Sequence, residues 1–297
     1  MDLVLVGLPG SGKTSVGRRI AARHGARFVD LDASIEAAAG QTIAQLFDAQ
    51  GEPGFRLRER AAVAALGAPD PAPALHRVIA TGGGAVVDPA NRWALYRGRR
   101  AVWLDGPPEV LAQRLRSSPN PRPLLQGRDP VGAIRELAAG RERFYAPALR
   151  LNSLAQVGPT LERLDAFLAE PGPVGTMLLS ADTRLGRIRI GEAFAAGALM
   201  ATLEELGARR AILVSEPGAW AAVGESLAAE VAVSGLPVER ILLPMGEAAK
   251  RLSVIEAAAG ELARLRVERS EPLIALGGGA LGDAAGFLAA TWLRGVP

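Results

Sequence analysis

The stretch Leu3–Gly25, LVLVGLPGSGKTSVGRRIAARHG, constrains this chain more than any other. An apolar run, Leu3 to Val6, leads into Gly7-x-x-x-x-Gly12-Lys13-Thr14, and helical spacing follows through Val16, Ile20 and Ala21. This is a Walker A loop in its strand–turn–helix context. The glycines let backbone N–H groups wrap phosphates, Lys13 reaches the outer phosphates, and the Thr14 hydroxyl is placed to ligate Mg²⁺. The helix N-terminus completes the anion site, which makes Gly10, Ser11, Gly12, Lys13, Thr14 and Ser15 the candidate nucleotide-binding positions.

Beyond that loop, apolar strands alternate with helical segments at Leu3–Gly7, Arg27–Asp32, Arg77–Thr81, Ala101–Asp105 and Leu149–Leu154. The alternation predicts an α/β fold with a parallel sheet wrapped by helices. A closing helix over PTLERLDAFLAE precedes a Pro/Gly-rich linker at Pro171–Gly175, so the expected domains are 1–170 and 176–297. The second half repeats the pattern with TMLLS, RIRIG, RAILVS, ERILLP and PLIALGG. Its apolar stretch Ala275–Leu293 contains Asp283 and several glycines, which fits a strand–turn–helix better than a membrane span.

The 297 residues hold no cysteine, so disulfides and thiolate metal sites are excluded and a cytoplasmic setting is expected. The N-terminus shows no leader pattern. Residues 1–170 hold 22 basic and 17 acidic residues, residues 171–297 hold 12 and 14. That modest excess suits small anionic substrates and lacks the basic, aromatic-rich stripe of a nucleic-acid binder. Only two of the 34 basic residues are lysines, Lys13 and Lys250. Lys13 stands where a compact ammonium must reach a phosphate.

Further clusters narrow the chemistry of the first half. FVDLDASIE places Asp30 and Asp32 on one side of an expected strand, one for Mg²⁺ through water and one to accept a proton from a hydroxyl; the competing reading is a helix N-cap. In EPGFRLRERAA, Arg56 and Glu59 stand at i, i+3, ordinarily the spacing of a solvated ion pair. VIATGGGAVV sets Gly82–Gly84 after a buried strand, which points to close approach of a ligand to the backbone. Arg122 lies in a Pro/Ser-rich loop, read as a lid whose arginine meets the transferring phosphoryl charge or as a plain exposed charge, and Arg141 precedes Tyr145 by four residues.

Taken in order, GLPGSGKT, Asp-x-Asp, Phe55–Glu59, Gly82–Ala85, Arg122–Leu125 and Arg141–Tyr145 make the first 170 residues resemble shikimate kinase. The resemblance implies a P-loop kinase that uses ATP and Mg²⁺ to phosphorylate the 3-hydroxyl of shikimate. By carry-over, Lys13 and Thr14 serve phosphates and metal, with Asp30 near the metal. Asp32 binds substrate hydroxyls and acts as base, Arg56 and Arg141 clamp the carboxylate, Gly82, Gly83 and Gly84 line the pocket, and Arg122 is the lid arginine. Either Arg114 or Arg116 contacts adenine. RERFY departs from the family's usual R-x-P-L-Y, which leaves Arg143 as a competitor for the carboxylate. Another small-molecule P-loop kinase, such as a gluconate or nucleoside monophosphate kinase, is the alternative enzyme reading.

The closing run LIALGGGALGDAAGFLAATWLRGVP, together with LPMGEAAK, resembles the N-terminal nucleotide-binding domain of 3-dehydroquinate synthase. This implies a partial α/β domain that binds NAD through Glu247, Lys250, Gly277, Gly278, Gly279 and Asp283, with Arg294 contacting a sugar-phosphate substrate. The alternative for this half is a glycine-rich packing turn or a non-catalytic NAD-binding module. In that family the zinc ligands lie in a further C-terminal domain, so zinc and dehydroquinate formation are not expected of residues 176–297. The histidines His24 and His76 have no partner at metal-ligand spacing. The expected partners are small molecules rather than nucleic acid or membrane, with a monomeric kinase half and a second half that needs another chain to cover it.

Overall fold

Strand β1 (Asp2–Val6) is buried along its whole length. Leu3 and Leu5 join one hydrophobic layer while Val4 and Val6 join the other. Such two-sided burial requires a central strand of a sheet covered on both faces. The computed structural model describes residues 1–116, 129–152, 157–171, 176–183, 186–192 and 195–297. After β1 come α1 (Lys13–His24), β2 (Arg27–Asp30), α2 (Leu31–Ala39), α3 (Ile43–Ala64), β3 (Arg77–Ala80), α4 (Pro89–Tyr96), β4 (Arg100–Asp105), α5 (Pro108–Arg116), α6 (Pro130–Tyr145), β5 (Leu149–Asn152) and α7 (Val157–Ala169). The sheet order is β2-β3-β1-β4-β5, and every pairing is parallel.

The same alternation runs through the neighbouring strands. Ile79 and Trp103 lie in the layer of Val4 and Val6, and Val78, Val102 and Leu104 in the layer of Leu3 and Leu5. Each fully buried aliphatic side chain of this kind contributes roughly 1.5–3 kcal/mol. Beneath the sheet, Asp2 is wholly buried, with Arg77 Nη2 at 2.6 Å and Arg99 Nε at 3.1 Å from its Oδ2. Helix α1 stops at Gly25, whose φ of 63° is left-handed. Helix α3 opens on a capping box between Thr42 and Gln45 and kinks at Gly51, φ 66°.

One expectation is corrected. Strand β2 ends at Asp30, and Asp32 sits in the first turn of α2. The Asp30 carboxylate accepts from Ala33 N at 3.3 Å, so the N-cap geometry terminates the strand two residues before the alternation does.

A hairpin follows, β6 (Thr176–Thr183) with β7 (Gly186–Glu192), paired antiparallel with a register shift between Met177 and Leu179. The chain then forms α8 (Ala195–Glu205), β8 (Ala211–Ser215), α9 (Pro217–Ala219), a π-helical turn Trp220–Gly224 running into α10 (Glu225–Val233), β9 (Val238–Leu242), α11 (Leu252–Arg264), β10 (Leu273–Leu276) and α12 (Gly279–Thr291). Strands β10-β8-β9 form a parallel sheet, and Ile212, Val214, Ile241, Leu281 and Leu288 share one core. Residues 275–293 are therefore mostly strand end and helix, and no helix among the described residues is long and apolar enough to cross a membrane.

By internal contacts the chain divides into Met1–Ala193 and Phe194–Pro297. Strand β6, grouped by sequence with the second half, packs on α6 and α4 of the first. Most of the expected linker, residues 172–175, lies outside the described residues.

Candidate active site

The first unit gathers its polar side chains at the C-terminal ends of β1, β2 and β3, where open parallel sheets bind ligands. The loop after β1 takes left-handed backbone at Gly7 (φ 139°), Gly10 (φ 81°) and Gly12 (φ 89°). A side chain at Gly7 would run into the Leu104 carbonyl, so the tight turn there demands glycine. Lys13 is nearly buried, and its Nζ donates to the carbonyls of Gly7 at 2.8 Å and Leu8 at 2.9 Å. Ser11 Oγ lies 3.4 Å from the same ammonium. The lysine is thus folded back on its own loop.

Beside this loop, Thr14 Oγ1 donates to Asp30 Oδ2 at 2.8 Å. The pair sets two hard oxygen atoms together where the P-loop meets β2, a donor set suited to Mg²⁺ rather than to a soft metal. Asp30 serves both as helix cap and as partner of Thr14.

The three consecutive glycines let several side chains approach the backbone closely. A Cβ on Gly82 would lie 2.8 Å from Asp32 Oδ1 and 3.0 Å from Glu59 Oε1. On Gly83 it would meet Pro9 of the P-loop at 2.8 Å, and on Gly84 both terminal nitrogens of Arg56 at 2.6 Å. Absence of side chains at these positions lets Asp32, Glu59, Pro9 and Arg56 converge on one stretch of backbone. Arg141, 8 % exposed, donates from Nη1 to the Gly83 carbonyl at 3.0 Å, and the Tyr145 hydroxyl donates to the same oxygen. Burial pushes the Tyr145 phenol up to about 12, so it remains a donor.

Arg56 is held from two sides. Its Nη1 donates to Glu59 Oε2 at 2.7 Å and its Nη2 to Glu52 Oε1 at 2.8 Å. The Glu59 side chain is 2 % exposed, so this pair is a buried anchor and not the solvated pair its spacing suggests. Burial raises the Glu59 carboxyl above its usual range, against the opposing pull of Arg56. Glu59 Oε1 has no hydrogen-bond partner among the described residues. The competing Arg143 is exposed and stacks on Phe144 at 4.8 Å, whereas Arg141 points to the glycines.

The structure therefore brings together Lys13, Thr14, Asp30, Asp32, Arg56, Gly82, Gly83, Gly84 and Arg141. Arg122 and its loop lie outside the described residues, and α5 carries both Arg114 and Arg116 in its last turn. Glu59, Tyr145 and Pro9 were not read as site residues, although each falls within a motif the sequence displays.

The shikimate kinase family model matches residues 9–157. The chain belongs to the shikimate kinase family. It is a phosphotransferase family, and the kinase from Symbiobacterium thermophilum is 53 % identical over 149 residues, 50 % of this chain and 83 % of that protein. The solved shikimate kinase from Acinetobacter baumannii, in complex with shikimate, shares 34 % identity with a TM-score of 0.52, covering 56 % of this chain and 92 % of that one. The 3-dehydroquinate synthase N-terminal model matches residues 240–297. A bifunctional shikimate kinase/3-dehydroquinate synthase from Thermotoga maritima aligns with the whole chain at 31 % identity, and this chain spans 54 % of that relative.

In the second unit, Lys250 Nζ lies 2.9 Å from Asp283 Oδ2 and 3.1 Å from Glu247 Oε1. The Asp283 and Glu247 carboxylates raise the lysine above its ordinary value. Gly277–Gly279 lead from β10 into the N-terminus of α12, the helix that carries Asp283. Arg294 lies past the C-terminal end of α12, the end opposite Gly277–Gly279, and no ion pair to Glu247 or Asp283 is found for it among the described residues. It does not join the Lys250 cluster.

Proposed function

We propose that residues 1–170 bind ATP and Mg²⁺ and transfer the terminal phosphoryl group to the 3-hydroxyl of shikimate. The observation that carries this reading is the convergence of Asp32, Arg56 and Arg141 on Gly82–Gly84, next to a P-loop. A small hydroxylated acid needs a carboxylate clamp and a base at its hydroxyl, and two arginines a short span from one aspartate supply both.

In this reading, the forks of Arg56 and Arg141 grip the planar carboxylate bidentately and fix the acid's rotation as well as its position. Asp32, on the rigid first turn of α2, accepts the proton of the hydroxyl it orients. Lys13 leaves the Gly7 and Leu8 carbonyls for the outer phosphate oxygens, and Arg122, outside the described residues, is the arginine assigned to the charge that builds during transfer. Mg²⁺, held by Thr14 and through water by Asp30, would neutralise phosphate charge. Glu59 does no chemistry here; it keeps Arg56 aimed.

ADP formation by the full chain, with shikimate, gluconate and nucleoside monophosphates offered separately, tests the proposal. Turnover that needs both shikimate and Mg²⁺ supports it. Equal or faster turnover with gluconate or a nucleoside monophosphate would replace it with the alternative P-loop kinase.

For the second unit we propose NAD binding at Lys250, Glu247, Asp283 and Gly277–Gly279, with Arg294 reserved for a sugar-phosphate substrate. The support is the lysine–aspartate pair beside a glycine turn and a helix N-terminus. Titration with NAD, repeated on Lys250→Ala, tests it; equal affinity in the two proteins would oppose the assignment.

A further inference from the structure

The β6–β7 hairpin lies between the two family matches, which end at residue 157 and resume at residue 240. Nothing in those matches accounts for it. Its sequence pattern predicts strands but not the surface they cover, and in the structure that surface is the kinase unit. Strand β6 packs on α6 and α4, and Thr176 is buried at its start.

The register shift explains how the hairpin grips. Met177 pairs with Gly191 and Leu179 with Ile190, so Leu178 is the extra residue of a β-bulge. Consecutive residues of a regular strand point to opposite faces. Here both Leu178 and Leu179 pack against the core layer that contains Trp103, Phe144 and Tyr145. At the same open end of the hairpin, where Glu192 pairs with Thr176, its carboxylate lies 3.5 Å from Arg97, just past α4. That pair is exposed and adds little, so the leucines carry the contact.

Helix α6 delivers Arg141 and Tyr145 to the Gly83 carbonyl. We propose that the paired strands β6 and β7 are a positioning element of the kinase, in which Leu178 and Leu179 of β6 hold α6 on the sheet and thereby fix the Arg141 guanidinium. The inference rests on Arg141 as a carboxylate ligand. It makes a segment outside both catalytic family matches a determinant of acid-substrate affinity, acting through α6 and not by touching substrate.

The test uses the full 297-residue chain carrying Leu179→Asp, with Leu178→Ala/Leu179→Ala as the milder variant should the first not fold. Amide exchange over residues 130–145 and initial rates against shikimate and ATP are measured together. The expected result is faster exchange in α6, a KM for shikimate raised on the order of tenfold, and a KM for ATP within about twofold of the parent. Ile188→Asp, at a hairpin position 48 % exposed, should leave both readouts in place. An unchanged shikimate KM in either folded leucine variant, or an equal rise in Ile188→Asp, would overturn the proposal. Arg141→Ala alongside tests the clamp by itself, so a failure there is told apart from a failure of the hairpin.

Discussion

Arg56 and Glu59, one turn apart on α3, form a buried ion pair at 2.7 Å in which one carboxylate oxygen is engaged and the other has no hydrogen-bond partner among the described residues. Burial of the acid costs free energy that its neighbour only partly offsets, which is why its carboxyl is raised. The arrangement spends stability to aim an arginine. Glu59→Ala should therefore raise the KM for shikimate on the order of tenfold with little effect on that for ATP, as initial-rate kinetics would show.

The same pair has a pH signature. A carboxyl raised in the folded state favours folding at low pH, and that contribution declines as pH rises from its unfolded value, about 4.3, through its folded one. Glu59→Gln lacks this decline. Its stability relative to the parent, from urea unfolding between pH 4 and 7, should therefore increase with pH. A constant difference would mean that Glu59 is not raised.

Tyr145→Phe removes one of two donors to the Gly83 carbonyl. The expected loss is about 1 kcal/mol of stability and a severalfold rise in shikimate KM. Because the phenol titrates only near 12, the activity profile between pH 6 and 10 should keep its shape. A lost alkaline limb in the variant would contradict the donor role.

How far the sequence foretold this site depends on the kind of interaction. Local patterns were readable: the P-loop, the order of strands and the glycine triplet depend on neighbours in the chain. Asp32 was misplaced because period-2 spacing and an N-cap look alike over three residues, and only the Asp30–Ala33 bond separates them. The burial of Glu59 and the seat of the hairpin depend on contacts made far along the chain. Alternation in TMLLS and RIRIG specifies an apolar face without naming the core it meets.

Asp2 was not singled out from sequence, yet it is wholly buried between Arg77 and Arg99. Those arginines also bond the carbonyls of Leu66, Ala68, Gly67 and Ala94, so the cluster ties β1 to the chain below the sheet. Asp2→Ala removes the carboxylate from one buried guanidinium, Arg99, and one half-buried one, Arg77, and should cost about 3–5 kcal/mol in urea unfolding. The shikimate and ATP KM values of the folded fraction should not move, since the cluster is at the end of the sheet opposite the site.

Lys13→Ala and Asp32→Asn separate chemistry from folding. Each should lower kcat on the order of 10²-fold or more while the melting temperature stays close to the parent's. Near-normal turnover in either would remove that residue from its role.

The central claim, an acid substrate gripped at Gly82–Gly84, is tested most directly by initial rates of Arg141→Ala and Arg143→Ala against shikimate and ATP. The geometry predicts that Arg141→Ala raises the shikimate KM roughly 30-fold or more while the ATP KM holds, and that Arg143→Ala changes neither. An unchanged shikimate KM in Arg141→Ala, or the large rise appearing in Arg143→Ala instead, would contradict it.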